Sequence, residues 1–185
     1  MRVERLWSTF AIGIAFRHFP LHPDTPQDGL TLEELFAGRD IDIPSAQARM
    51  KQLMAEEGLP FGSRTMTYNS RLAQELGKWA DTRPNGQRIH DALFHAYFVD
   101  NVNLAEVENL IAIAGSVGLS PDEARRVLID RQFRAAVDVD WQRAADLGIT
   151  GVPTFVMGSR GLVGARSYEQ LAAFVSSAGA VRRGP

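Results

Sequence analysis

Gly148-Ile149-Thr150-Gly151-Val152-Pro153-Thr154-Phe155-Val156 is the stretch from which the rest of the chain can be read. A helical pattern stops at Gly148, and a short loop holding Pro153 then runs into Thr154-Phe155-Val156-Met157, which is β-branched and aromatic as strands are. Gly158-Ser159 supplies a two-residue turn, and Gly161-Leu162-Val163-Gly164 reads as a second short strand, so residues 154–164 are expected to form a hairpin. Beyond it, Ser167 and Gln170 have the spacing of a capping box, opening a closing helix with Leu171, Phe174 and Val175 inward. Val181-Arg182-Arg183-Gly184-Pro185 is expected to fray.

Upstream of the loop the pattern is helical over a long distance. Thr31 and Glu34 form a possible capping box for a short helix ending near Gly38, and Pro44 opens a helix carrying Met50, Leu53 and Met54. Asn69 caps a helix with Leu72, Leu76 and Trp79, which ends before Arg83-Pro84-Asn85-Gly86. Ile89, Leu93, Ala96 and Tyr97 share one face, as do Val107, Leu110, Ile111 and Ala114, with Gly118 as a stop. Ser120-Pro121-Asp122-Glu123 starts a further helix, and the last one runs through Ala136, Val139 and Ala144. No strand is expected between Asp28 and Leu147. At the N-terminus, Val3, Leu6, Trp7 and Phe10 line one helix face, and Ile14-Ala15-Phe16-Arg17-His18-Phe19 reads as a strand stopped by Pro20 and Pro23.

Composition bounds the function. The 185 residues carry a formal charge of -2, with 20 basic and 22 acidic side chains, so neither nucleic acid nor an anionic membrane is an expected partner. The longest apolar runs fall far short of a bilayer span, no signal-peptide pattern follows Met1, and a cytoplasmic protein is expected. The chain has no cysteine, which excludes disulfides, thiolate nucleophiles and Cys-ligated metals from its own side chains. The four histidines, His18, His22, His90 and His95, lack metal-ligand spacing, and no metal site is expected.

The order helix, strand, long helical block, hairpin and final helix, with Gly151-Val152-Pro153-Thr154-Phe155 entering the hairpin, resembles the DsbA branch of the thioredoxin superfamily. Phe19-Pro20-Leu21-His22-Pro23-Asp24-Thr25-Pro26, Glu56-Glu57-Gly58-Leu59-Pro60-Phe61, Asn69-Ser70-Arg71-Leu72-Ala73 and Asp91-Ala92-Leu93-Phe94-His95-Ala96-Tyr97-Phe98 resemble segments of its FrnE, or dithiol-disulfide isomerase, subgroup. The resemblance implies an α/β thioredoxin-like fold of the DsbA type with a large all-helical insertion. It divides the chain into a core of residues 1–27 and 148–185 and an insertion of residues 28–147. It also implies that Pro153 is cis and faces the ancestral site. The family begins with a β-strand and a Cys-x-x-Cys at the start of the first helix, where the helix dipole lowers the thiol pKa. By that resemblance the first β-strand is missing here, and residues 1–10 correspond to later turns of the helix. The lost strand would separate residues 14–19 from the hairpin, so these two parts are expected to close on each other or to take the contact from a second chain, as in a homodimer.

The candidate site residues are Gly151, Val152, Pro153 and Thr154, with His18 nearby, for substrate binding; no catalytic residue is assigned. The family resemblance implies that the backbone at Val152 can pair with an extended peptide or with a small thiol compound such as glutathione, by strand addition that needs no particular side chain. Three functions compete. One is a DsbA/FrnE-like thiol-disulfide oxidoreductase family member that lacks redox-active cysteines and is redox-inactive or truncated. Another is a non-catalytic peptide-binding or assembly module. The third is a relative of the glutathione-dependent kappa-type transferases and 2-hydroxychromene-2-carboxylate isomerases, whose serine belongs to the missing region; Ser8 lies too far into the helix to replace it. Trp7, Trp79 and Trp141 are read as core, and Phe94, Tyr97 and Phe98 as packing residues.

Overall fold

The computed structural model describes residues 2–184, which divide into two compact units, residues 22–139 and residues 1–21 with 140–185. Helices dominate the first unit because its apolar residues recur at helical spacing and its starts are well capped. Thr31 and Glu34 close a full capping box on α2 (Leu32–Leu35). Asp42 caps α3 (Ile43–Glu56), with Pro44 in its first turn. α4 (Arg71–Ala80), α5 (Arg88–Phe98), α6 (Val107–Ser116) and α7 (Pro121–Ile129) enclose the main core around Leu76, Trp79, Ile89, Leu110 and Leu128. α6 ends as its sequence predicts: Gly118 takes φ +83 and Leu119 N–H returns to Ala114 O at 3.0 Å.

Two expectations for this unit, the absence of strands and the cap at Asn69, need correction. A two-residue ladder joins β1 (Leu30–Thr31) to β2 (Met66–Thr67), a pairing too short to leave an alternating signature in sequence. Met50 and Leu53 of α3 stand exposed, and that helix buries no residue. Asn69 stands just ahead of α4: its Oδ1 accepts from Arg71 N–H at 2.9 Å, while its Nδ2 donates to the carbonyls of Pro23 and Thr25.

α4 buries a carboxylate within its apolar stripe. Glu75 is fully buried between Leu72, Leu76 and Trp79, and three arginine donors meet it: Arg71 Nε at 2.8 Å, Arg131 Nε at 2.8 Å and Arg131 Nη2 at 2.6 Å. Arg131 follows α7 with φ +52, a left-handed conformation that disfavours a side chain bearing Cβ. The two-pronged bond to Glu75 holds it there. Burial pushes the Glu75 carboxyl up, but Arg131 and Arg71 outweigh it and keep it below the usual carboxylate range.

In the second unit α1 (Arg2–Thr9) and α9 (Tyr168–Ser177) pack together through Leu6, Phe10, Leu171, Ala172 and Val175. β3 (Thr154–Met157) and β4 (Arg160–Val163) form the expected hairpin, and Ser167 and Gln170 close the capping box of α9. Trp7, read as core, is 56% exposed. α8 (Arg134–Asp146) buries Val137, Asp140 and Ala144, whereas Val139 is exposed.

Residues 14–19 do not form the expected strand, and they share no ladder with the hairpin. A strand exists only as part of a ladder, and nothing in the described residues supplies one here. The expected closure of the two parts is likewise not seen. The fraying expected of the C-terminus is overturned as well. Ala11 N–H donates to Val181 O at 2.8 Å, Arg183 N–H donates to Thr9 O at 2.9 Å, and the Arg182 guanidinium lies 5.5 Å from the Phe10 ring centre. Arg183 Nε also reaches the carbonyls of Trp7 and Phe10.

Glu75→Gln removes the charge that both arginines meet and is expected to lower stability at pH 7 by about 3 kcal/mol in urea unfolding. Because the folded-state pKa is depressed, the contribution is present above the unfolded value of roughly 4.3 and fades as pH falls below it. The difference between variant and parent should therefore shrink between pH 5 and about pH 3; an unchanged difference would show that the carboxylate charge is not the stabilising element. Truncation after Ala180 deletes two backbone hydrogen bonds and the cover of Phe10, for an expected loss of about 2 kcal/mol. A frayed C-terminus would leave the unfolding midpoint where it was.

A candidate binding site at the cis-proline loop

The loop begins where α8 stops. Gly148 takes φ +63 and Ile149 N–H returns to Ala144 O at 2.9 Å, which ends the helix and turns the chain toward β3. The Val152–Pro153 peptide bond is cis. Thr154 Oγ1 donates to Gly151 O at 2.7 Å, and Gly164 N–H donates to Pro153 O at 2.8 Å, so the loop is tied to itself and to the residue after β4. Among the described residues no backbone hydrogen bond engages Val152, which is 51% exposed. Gly151, Val152, Pro153 and Thr154 thus form one structural element. An extended backbone or an amide-bearing small molecule can meet Val152 there with one donor and one acceptor.

His18 is held by a different group. Its backbone N–H donates to Asp140 Oδ2 at 2.9 Å, and Arg17 Nη1 lies 3.5 Å from Asp140 Oδ1. Asp140 is a buried carboxylate, and through it α8 fixes the otherwise irregular residues 12–20. Sequence reading missed Asp140, although a signal was present. Val137, Asp140 and Ala144 fall at i, i+3 and i+7 on the buried face of one helix, where a carboxylate needs donors. His22, the other histidine near the N-terminal loop, has its pKa lowered first by burial and then by the charges of Arg39 and Arg64. Ser8 is exposed on α1 and donates to Arg5 O at 3.0 Å, an ordinary helix-surface arrangement. The described residues contain no His, Asp and Glu cluster suited to a metal ion, and no helix long and apolar enough to cross a membrane.

The DSBA-like thioredoxin domain family matches residues 1–176. Among solved structures, the probable DsbA oxidoreductase of Streptomyces coelicolor is similar, with a TM-score of 0.85 at 28% identity, over 96% of this chain and 81% of that one. The cytosolic disulfide reductase DsbM of Pseudomonas aeruginosa, solved with GSH, is similar in fold, with a TM-score of 0.55 at 20% identity over 80% of each chain. So is a 2-hydroxychromene-2-carboxylate isomerase, with a TM-score of 0.60 at 17% identity, over 74% of this chain and 66% of that one. No curated protein sequence matches. The α/β reading, a thioredoxin fold of the DsbA type with a helical insertion, is therefore established.

Asp140→Asn keeps the shape of the side chain and removes its charge. The variant is expected to lose about 2 kcal/mol, within the range for a weakened buried hydrogen bond to a charged group. Amide exchange at His18 should speed up while exchange in the β3–β4 hairpin is unchanged; equal acceleration in both places would mean that Asp140 serves the whole unit and not this segment.

Proposed function

Because the chain belongs to the DSBA-like thioredoxin domain family, we propose that it binds an extended peptide or a small thiol compound such as glutathione at the cis-proline loop, without carrying out thiol-disulfide exchange through its own side chains. Exchange proceeds by attack of a thiolate on a sulfur, and none of the 185 residues is a cysteine. The observation that carries the binding reading is the state of Val152: an exposed residue whose backbone makes no hydrogen bond, in a loop whose neighbouring carbonyls are already engaged. Recognition through main-chain groups does not depend on the thiol chemistry and can persist without it. Within the family, the segments 19–26, 56–61, 69–73 and 91–98 support placing the chain with the FrnE group. The transferase and isomerase alternative rests on fold likeness alone, since that relative is 17% identical.

Titration of the ¹⁵N-labelled protein with reduced glutathione, or with a short extended peptide, is expected to shift the Val152 amide signal. Val152→Ala should bind as the parent does. Val152→Pro, which lacks the N–H, should bind at least about fivefold more weakly, the equivalent of one ordinary hydrogen bond. A disulfide-exchange assay should give no rate above the uncatalysed background. If Val152→Ala and Val152→Pro weaken binding alike, the side chain is the recognition element and the main-chain reading is wrong.

A further inference from the structure

The chain has five asparagines, Asn69, Asn85, Asn101, Asn103 and Asn109, and four of them are held by their side chains. Asn69 Nδ2 donates to the carbonyls of Pro23 and Thr25, Asn101 Nδ2 to Ser63 O at 2.6 Å, Asn103 Nδ2 to Gln27 O at 3.3 Å, and Asn109 Nδ2 to Asn103 O at 3.0 Å. Asn85 is exposed, and among the described residues its side-chain amide makes no hydrogen bond. It is also the one followed by glycine; the others precede Ser70, Val102, Leu104 and Leu110. Glycine has no Cβ to shield its amide nitrogen or to restrict the rotation that brings that nitrogen onto the preceding side chain.

The fold requires this pair where it stands. Asn85 takes φ +59, a left-handed conformation that asparagine adopts more readily than most residues bearing a Cβ. Gly86 is buried against the end of α4, where a Cβ would lie 1.7 Å from Ala80 O, so no larger residue fits. The turn is closed by Arg83 N–H on Ala80 O at 2.8 Å, Gly86 N–H on Arg83 O at 3.1 Å and Ile89 N–H on Gly86 O at 3.0 Å. Ala80 and Ile89 are both core residues, so the join between α4 and α5 rests on a glycine that cannot be exchanged.

We propose that Asn85 is a site of spontaneous deamidation, at which the turn between α4 and α5 is converted to aspartyl and isoaspartyl forms. The Gly86 amide nitrogen, its proton taken by hydroxide, attacks Asn85 Cγ; the Cγ–Nδ2 bond breaks, Nδ2 leaves as ammonia, and a cyclic imide remains. Water then opens the imide at Cγ, giving aspartate, or at the main-chain carbonyl, giving isoaspartate, whose backbone runs through the former side chain and is longer by a methylene. Water is consumed, ammonia is released, and nothing is oxidised or reduced. In the closed turn Gly86 N–H is given to Arg83 O, so the attack waits for the turn to open. Opening is resisted by Arg83, whose Nη2 lies 3.3 Å from Glu123 Oε2 on α7 and whose guanidinium sits 5.6 Å from the Trp79 ring centre. Isoaspartate cannot restore the turn, because the added methylene displaces Gly86 from its fit against Ala80.

Intact protein is held at mildly alkaline pH below its unfolding temperature, digested with trypsin at intervals and mapped by mass spectrometry against a zero-time digest. The peptide of residues 79–88 is expected to gain the mass of an acid replacing an amide, in two products, one of them a substrate for isoaspartyl methyltransferase. Peptides carrying the other four asparagines should not change, and the rate should rise with pH. Arg83→Ala frees the turn from Glu123 and Trp79 and should speed the reaction about two- to fivefold, the equivalent of one exposed ion pair. Synthetic peptides of residues 79–88 with and without that substitution should react alike. Asn85→Gly keeps the left-handed turn and should abolish the mass change with the urea midpoint near the parent's, whereas the isoaspartyl fraction should unfold at lower urea than Asn85→Asp. An unmodified 79–88 peptide, modification seen only in denaturing urea, or faster change at another asparagine would overturn the proposal. An Arg83→Ala rate equal to the parent's would overturn the route through turn opening, and an isoaspartyl fraction as stable as Asn85→Asp would overturn the damage assigned to the added methylene.

Discussion

A backbone amide or carbonyl that leaves water must find a partner, and the unit made of residues 1–21 and 140–185 is shaped by how few β-partners it has. Its only named sheet among the described residues is one hairpin of four-residue strands. The rest of its extended chain is fastened by other means. Residues 181–183 pair with residues 9–11, Asp140 on α8 takes the N–H of His18, and Thr154 takes the carbonyl of Gly151. Each of these substitutes a single bond, or a pair of them, for a ladder.

The helical unit shows the opposite economy. Its helices satisfy their own backbones, so side chains are left to do the fastening, and the most constrained group is a carboxylate. Glu75 draws Arg71 of α4 and Arg131 after α7 onto one buried point, and Arg71 continues to Asp138 and to the carbonyl of Arg134 on α8. A left-handed arginine at the end of α7 is tolerable because its guanidinium is held twice over.

Helices were legible in the sequence because their evidence is local. Thr31 with Glu34, Ser120 with Pro121, and Ser167 with Gln170 each announce a start within four residues, and each helix is where those residues place it. Strands were legible only where a turn joined them, as Gly158-Ser159 joins β3 and β4. Residues 14–19 have the alternation of a strand, but alternation describes side chains, and a strand is made by the backbone of a neighbour. Trp7 was misread for a related reason: periodicity gives a stripe and not its width, so a residue at its margin is assigned inward when it faces water. Of the site, the loop could be read from residues 148–156, whereas the contribution of Asp140 to fixing His18 joins residues 122 positions apart.

The pairing of Phe10 with Arg182 has a consequence for how the chain comes into being. Loop closure between positions so far apart in sequence carries a large entropic cost, and the bridge cannot form until residue 183 has left the ribosome. The helical unit, whose core residues lie between positions 73 and 128, is complete in sequence long before that moment. During synthesis the first helix must therefore wait, with Leu6 and Phe10 uncovered, while more than a hundred residues fold downstream of it. The interval is one in which a chaperone has the apolar face of an amphipathic helix to hold, and its length is set by the insertion that separates the two halves of the unit.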